Sequence, residues 1–346
     1  MRLARPVMIA CLVLALAAAP ARAATLGVGV DAPAVSLLPA DALSVELDGL
    51  GATWVRVDAR WDAIAPTRPA RPRLGGDRAY RWGPLDRLIR RIVASRVAAG
   101  RPRPKIIIAI AGTPSWARAD GIDAPDAAAL PRPAAFGDFV RALARRYRAS
   151  ASAYEIWPEP NRATSLAPQR IAGRLVSPAV LGRLVRAAAA VIVRTDPSPV
   201  IAGGVARGAD PNAVTPPRAF LRALGRIGLP RGVAGGVRLA PSGPEEAVAS
   251  ADDLTLADGP TVMSAVAAAF RGPSRSVWVT GYGVSSAAGA AAQAEGVAAL
   301  RAMAVLPRVR CAVWDRLVDG DAPGVGLLDA TGAPKPAELA WRSALG

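Results

Sequence analysis

The sequence predicts an α/β protein, a single-domain (β/α)8 TIM barrel covering residues 24–346. Three observations lead there. Short apolar β-type runs alternate with longer segments rich in alanine and leucine, which implies a parallel sheet wrapped by helices. The units recur at roughly 40 residues and no long linker divides the chain, so one barrel accounts for the length. The alternative is a doubly wound open sheet, which wants a glycine-rich phosphate loop after its first strand. Here Gly27-x-Gly29 lies inside the first run instead of opening a helix.

The first residues read as a targeting signal. Arg2 and Arg5 form a basic start, Val7 to Ala19 is an uninterrupted apolar run, and Ala21-Arg22-Ala23 has the small-x-small pattern of a cleavage site. The run is too short for a bilayer core of about 30 Å. Residues 1–23 are therefore expected to be a signal peptide, and the mature chain to be secreted or held at the cell-envelope exterior, with no membrane span after cleavage.

Candidate strands are 26–30, 53–58, 105–111, 153–157, 200–204, 253–257, 276–280 and 310–314. Helix-type segments lie at 40–50, 84–98, 134–147, 178–193, 217–227, 261–270 and 287–303, with a closing helix at 336–345. Pro84, Pro178 and Pro217 stand near helix starts, where a missing N–H costs nothing. The Pro/Gly-rich stretch 229–243 reads as a long loop or small insertion before the sixth strand.

Composition narrows the chemistry. The formal charge is +16, and +13 without Arg2, Arg5 and Arg22. Lysine is almost absent, and arginines such as Arg87, Arg90, Arg91 and Arg141, Arg145, Arg146 recur at helical spacing, as on solvated helix faces. Such a charge also attracts acidic polymers. No basic run with interleaved aromatics supports a nucleic-acid partner. Cys311 is the sole cysteine after residue 23, so no intramolecular disulfide is expected; its apolar surroundings suggest a buried, inert thiol.

The chain has no histidine. That excludes a Ser-His-Asp triad, a Cys-His pair and any imidazole metal ligand. No cofactor or metal is expected. Acid–base work falls to other groups, and the paired-carboxylate glycosidase is a common hydrolase design that needs no histidine.

A barrel carries its site at the carboxyl ends of its strands. The fourth candidate strand ends Tyr154-Glu155-Ile156-Trp157-Pro158-Glu159-Pro160-Asn161. A carboxylate between two prolines is rigidly held, and an adjacent indole would desolvate it and favour a general-acid role.

This strand end resembles the Asn-Glu-Pro motif of the large clan of retaining (β/α)8 glycoside hydrolases. Other pieces follow in the clan's order: Trp54-Val55-Arg56-Val57-Asp58 with Trp61, Tyr80-Arg81-Trp82-Gly83-Pro84, Thr113-Pro114-Ser115-Trp116, Trp278-Val279-Thr280-Gly281-Tyr282-Gly283, Trp314-Asp315, and the tail from Gly326 to Ala337. The resemblance makes Glu159 the general acid/base and Arg56 the basic residue beneath the nucleophile. It makes Trp314 an aromatic wall for the sugar ring, with Trp116 and Tyr282 as further substrate-binding residues and a carbohydrate as the partner. Each tryptophan has core packing as its alternative.

Three positions depart from the clan. The seventh-strand nucleophilic glutamate is replaced by Gly281, which cannot form a covalent glycosyl-enzyme. The asparagine before the acid/base, which bonds the sugar 2-OH, is Pro158. The histidine and tyrosine expected at the sixth strand's end are missing from 253–260. These losses predict impaired hydrolysis with glycan binding possible, and a carboxylate-sized void at Gly281 that azide or formate would enter. One alternative is an active glycosidase using Glu159 with a relocated carboxylate, Asp258 or Asp315, while Asp58 and Glu155 lie deeper and pair with Arg56. Another is an envelope-associated structural protein with a vestigial cleft.

Overall fold

The computed structural model of the protein describes residues 25–119, 128–208, 213–239, 251–270, 276–320 and 324–345. The proposed signal peptide lies outside the described residues. Eight parallel strands close into a barrel: β1 (Leu26–Gly29), β2 (Trp54–Arg60), β3 (Lys105–Ala111), β4 (Ala151–Ile156), β5 (Val200–Ala206), β6 (Ala234–Arg238), β7 (Val277–Tyr282) and β8 (Val309–Trp314). Neighbours in sequence are neighbours in the sheet, and β1 pairs with β8, Leu26 opposite Ala312, to close the ring. The fold expectation is met.

Ten helices surround the barrel among the described residues: α1 (Ala32–Leu37), α2 (Ala40–Gly49), α3 (Trp61–Ile64), α4 (Gly83–Ala98), α5 (Pro133–Tyr147), α6 (Ser177–Thr195), α7 (Pro217–Ile227), α8 (Gly259–Ala269), α9 (Gly289–Ala304) and α10 (Pro336–Ser343). Pro84, Pro178 and Pro217 do stand in the first turn of α4, α6 and α7. No described helix is long and apolar enough to cross a membrane.

Strand alternation builds two cores. In β3, Ile106, Ile108 and Ile110 face the helices, whereas Ile107 points into the barrel. There it joins Trp54, Ala153, Ile201, Ala234, Trp278, Cys311 and Val313 in an interior layer near the strands' amino ends. Cys311 is fully buried, and that burial pushes its thiol well above the usual range.

The sixth strand is a correction. Residues 253–257 form an irregular segment ending in a turn before α8, and the strand lies at Ala234–Arg238, inside the stretch read as a loop. Its glycines mark close approach. A Cβ on Gly235 would overlap Val266 and come within 2.8 Å of Phe270 on the helix behind. Asp253, freed from the sheet, instead makes a buried ion pair with Arg207 at 2.8 Å.

Candidate active site

The strand ends converge on a cavity of about 370 Å³ at the carboxyl rim of the barrel. Its wall includes Arg56 and Asp58 from β2, Glu159 after β4, Arg238 at the end of β6, and Asp315 after β8.

Glu159 sits on a strained turn. Trp157 and Glu159 both have positive φ, 60° and 53°, a region that side-chain-bearing residues seldom adopt. The surroundings hold the turn in place. Trp157 N–H donates to Ile110 O at 2.9 Å, Glu159 N–H to Gly204 O at 2.9 Å, and the Ser165 hydroxyl to Pro158 O at 2.6 Å. Asn161 fastens the exit, donating to Ala206 O and Thr215 O and accepting from Ala206 N–H.

Beneath the turn lies a buried polar network. Glu155 is fully buried and accepts from Arg56 Nε at 2.9 Å, from the Thr280 hydroxyl at 2.6 Å and from Gly204 N–H at 3.1 Å. Arg56 also pairs with Asp58 at 2.9 Å. Both pairings with Arg56 match expectation, but the depth does not hold for Asp58, whose side chain is 60% exposed on the cavity wall. Burial works against the charge on Arg56, and the flanking Asp58 and Glu155 carboxylates more than offset it, leaving its pKa raised.

The residue that sequence reasoning missed is Arg238. Its Nε donates to Glu159 at 3.3 Å, its Nη2 to Asp315 at 2.5 Å, and its Nη1 to the Thr280 carbonyl at 2.9 Å. Burial again opposes the charge, and Asp315, Glu159, Glu155 and Asp58 together outweigh it, so the pKa is raised. For Asp315, burial pushes the carboxyl up, but the charges of Arg238 and Arg56 outweigh that and hold it below its ordinary value.

Arg238 also overturns the expected void. A Cβ on Gly281 would overlap the Arg238 guanidinium and come within 2.7 Å of an Asp315 oxygen. The place where the sequence resemblance puts a nucleophile is filled by a cation. One signal was available. Ala202-Gly203-Gly204-Val205 in β5 recurs as Ala234-Gly235-Gly236-Val237 in β6, with Ala202 paired opposite Gly235. That echo marks 234–238 as a strand and Arg238 as its final residue.

The other predicted residues separate. Arg56, Glu159 and Gly281 come together around Arg238. The indole expected beside Glu159 is absent: Trp157 is fully buried, packs on Phe136 and donates to Ser165 O. Glu159 is flanked by guanidiniums instead, Arg238 and Arg162 at 3.4 Å. Trp314 is fully buried, donates to Val325 O at 2.7 Å and packs edge-on against Tyr282 and Trp341, so it belongs to the core and not to the cavity wall. Tyr282 is buried with it. Trp116 donates to Ala65 O and lines a separate cavity of about 220 Å³ with Arg68 and Arg132. Pro158 is on the main wall and offers no side-chain donor. Asp258 is not on that wall; it caps α8, accepting from Thr261 N–H at 3.1 Å. Asp315 is on it.

No aromatic side chain lines the cavity. All sixteen aromatics fall within the described residues, and every one but Trp116 is buried. The wall is built of arginines, carboxylates and small residues.

The architecture has solved counterparts. A family 39 glycoside hydrolase from Bacteroides cellulosilyticus WH2 superposes with a TM-score of 0.60 at 19% identity, over 92% of this chain and 62% of that one. The GH39 enzyme from Xanthomonas axonopodis pv. citri gives 0.63 at 19% identity, over 94% and 66%. Its fold is that of the glycoside hydrolase barrels. GH5_18 from Streptomyces cattleya, solved in complex with GlcNAc, gives 0.60 at 20% identity, over 94% and 80%. The chain thus spans less than two thirds of the first two proteins. No family model matches the sequence, and no curated protein matches it.

Proposed function

We propose that this chain is an exported glycosidase-fold protein that has lost retaining hydrolysis and holds a glycan in its cleft through charged and polar contacts. The observation that carries the reading is the Arg238 guanidinium standing where a nucleophile at residue 281 would project. Retaining chemistry needs two carboxyl groups about 5–5.5 Å apart, one attacking the anomeric carbon. Glycine supplies no attacking group, and the cation beside it ties up both nearby carboxylates.

The cleft remains open, and Asp58, Glu159 and Arg60 offer it exposed hydrogen-bonding atoms. A sugar without an aromatic platform is bound by these groups alone. The structural neighbours act on or bind carbohydrates by their names, which supports a saccharide as the ligand class. The leader-like pattern at residues 1–23 supports export from the cytoplasm.

A second reading has one observation in its favour. Glu159 and Asp315 line the same cavity on either side of one guanidinium. An inverting pair stands about 6.5–9.5 Å apart, with water between. Calorimetric titration with an oligosaccharide panel, alongside assays on activated aryl glycosides, decides between the two. The binding reading expects saturable binding that weakens at least tenfold in Asp58→Asn and Glu159→Gln, with no turnover. Turnover in the wild type that disappears in Asp315→Asn establishes the inverting enzyme instead.

A further inference from the structure

The positive charge of the chain is gathered on one side of the barrel. Residues 66–105 and 132–150, which contain α4, α5 and the segments flanking them, carry sixteen arginines and one lysine against three aspartates. The rest of the chain after residue 23 carries 23 cations and 24 carboxylates. An arginine-rich composition by itself would spread the excess over the surface. Here all of it lies on two successive helices and their approaches. Side chains tie these segments into one face: Arg73 pairs with Asp138 at 2.7 Å, and Arg146 pairs with Asp86 at 2.5 Å.

The three aspartates of the face are already engaged. Asp138 and Asp86 make those two pairs, and Asp77 is buried, accepting from the backbone N–H groups of Arg71 and Ala79. Arg78, Arg81, Arg87, Arg90, Arg91 and Arg145 are exposed and form no salt bridge among the described residues. A groove of about 570 Å³ lies between α1 and α4 on this side. Val35 and Leu88 give it apolar surface, Arg87, Arg90 and Arg91 give it charge, and no carboxylate lines it.

Spacing and composition select among anionic partners. Arg87 stands one helical turn, about 5.4 Å, from Arg90 and Arg91. A polyuronate presents one carboxylate per pyranose, a repeat of similar length, and a guanidinium takes a carboxylate through two parallel hydrogen bonds. Tyr80, Trp82, Phe136, Phe139 and Tyr147, the aromatics of the two segments, are all buried. The face therefore offers no ring on which a base could stack and none to anchor in a bilayer interface. We propose that this face binds an acidic polysaccharide, with one chain in the groove between α1 and α4 and its carboxylates on Arg87, Arg90 and Arg91. The surrounding arginines draw the polyanion in. The surface shares no residue with the glycan cleft, and the inference holds whether or not that cleft binds a sugar.

The test is fluorescence anisotropy of a labelled oligogalacturonate titrated with the protein at about 0.15 M salt, where exposed charges are already well screened. Saturable binding that weakens as salt is raised is expected, with no competition from neutral dextran. Arg87→Gln/Arg90→Gln/Arg91→Gln, which alters only exposed side chains, should weaken binding at least tenfold with an unchanged melting temperature and a shallower salt dependence. Arg194→Gln/Arg226→Gln/Arg310→Gln removes the same charge from exposed positions elsewhere and should leave affinity within about twofold of the wild type. Asp58→Asn, which alters the glycan cleft, should bind the polyuronate as the wild type does, so the two readings fail separately. No saturable binding, an equal loss in both triple variants, or a loss in Asp58→Asn overturns the proposal. So does tighter binding, at matched charge, to single-stranded DNA or to phosphatidylglycerol vesicles.

Discussion

The guanidinium of Arg238 occupies the space that a side chain at residue 281 would need. Each residue therefore explains the other. Glycine at 281 leaves room for the cation, and the cation holds Glu159 and Asp315 together where two carboxylates would otherwise repel. The cleft is built around a positive charge and holds no void beside Gly281.

That coupling is measurable. Gly281→Ala forces a methyl against the guanidinium and is expected to cost about 1–3 kcal/mol, the usual range for overpacking. Arg238→Ala leaves the two carboxylates uncompensated and should cost about 2 kcal/mol, below the range for fully buried pairs because both acids are partly exposed. In Gly281→Ala/Arg238→Ala the methyl no longer meets the guanidinium, so the costs should fall short of their sum by about 1 kcal/mol. Additive costs in urea unfolding would show that the two side chains do not contend for one space.

Asp315 gives a pH signature. Its pKa is lowered in the folded protein, so in the native state it holds its proton less readily than the unfolded chain does. The stability it contributes is fully present above the unfolded value of about 3.9 and is lost as pH falls through the lower folded value. Wild type should exceed Asp315→Asn in unfolding free energy at pH 6, and the gap should close progressively below about pH 4. A gap independent of pH between 2 and 6 would mean the carboxylate has no favourable ionic partner.

The barrel was legible in the sequence because its strands are dense apolar runs such as Ile106–Ile110, bounded by turns and spaced evenly. β6 was not, because Gly235 and Gly236, which let it pack close to α8 and β5, look like loop residues when read without their neighbours. Glu159 was legible from the two prolines that fix it. Arg238 was lost with its strand. Trp314 and Tyr282 were misplaced for a different reason. A tryptophan beside a strand end has the same local pattern whether its ring faces the cleft or the helices, and only tertiary packing against Trp341 decides.

Trp314 provides the corresponding test. As a core residue bonded to Val325 O, it should lower stability by about 2 kcal/mol on change to Phe, through lost packing and an unpaired carbonyl. Glycan affinity, read by calorimetry on the folded variant, should stay within about twofold of the wild type. An aromatic wall would show the reverse, with stability retained and binding lost.

The proposed export supplies a prediction outside the barrel. The run Val7 to Ala19 followed by Ala21-Arg22-Ala23 predicts cleavage after Ala23. Intact mass analysis of protein recovered from outside the cytoplasm should place Ala24 at the amino terminus. A chain that keeps the apolar run would be membrane-anchored.

The filled place at residue 281 also changes what added anions should do. In retaining glycosidases stripped of their nucleophile, a small anion can attack the anomeric carbon from the space left behind. Here that space holds a guanidinium, so azide or formate should not restore turnover of an activated aryl glycoside to the wild type. Arg238→Ala opens the space and frees Glu159 from its ion pair. With azide, that variant should cleave the substrate slowly and yield a glycosyl azide. Glu159→Gln in the same background should reduce the rate on a substrate with a poor leaving group by about 10²–10⁴-fold, the contribution of general acid catalysis. Gly281→Glu alone should remain inactive, because the new side chain meets Arg238, whereas Gly281→Glu/Arg238→Ala has room for a nucleophile and should gain azide-independent turnover. Azide rescue of the wild type would show that the guanidinium yields to small anions, and the blocked-nucleophile account would fail.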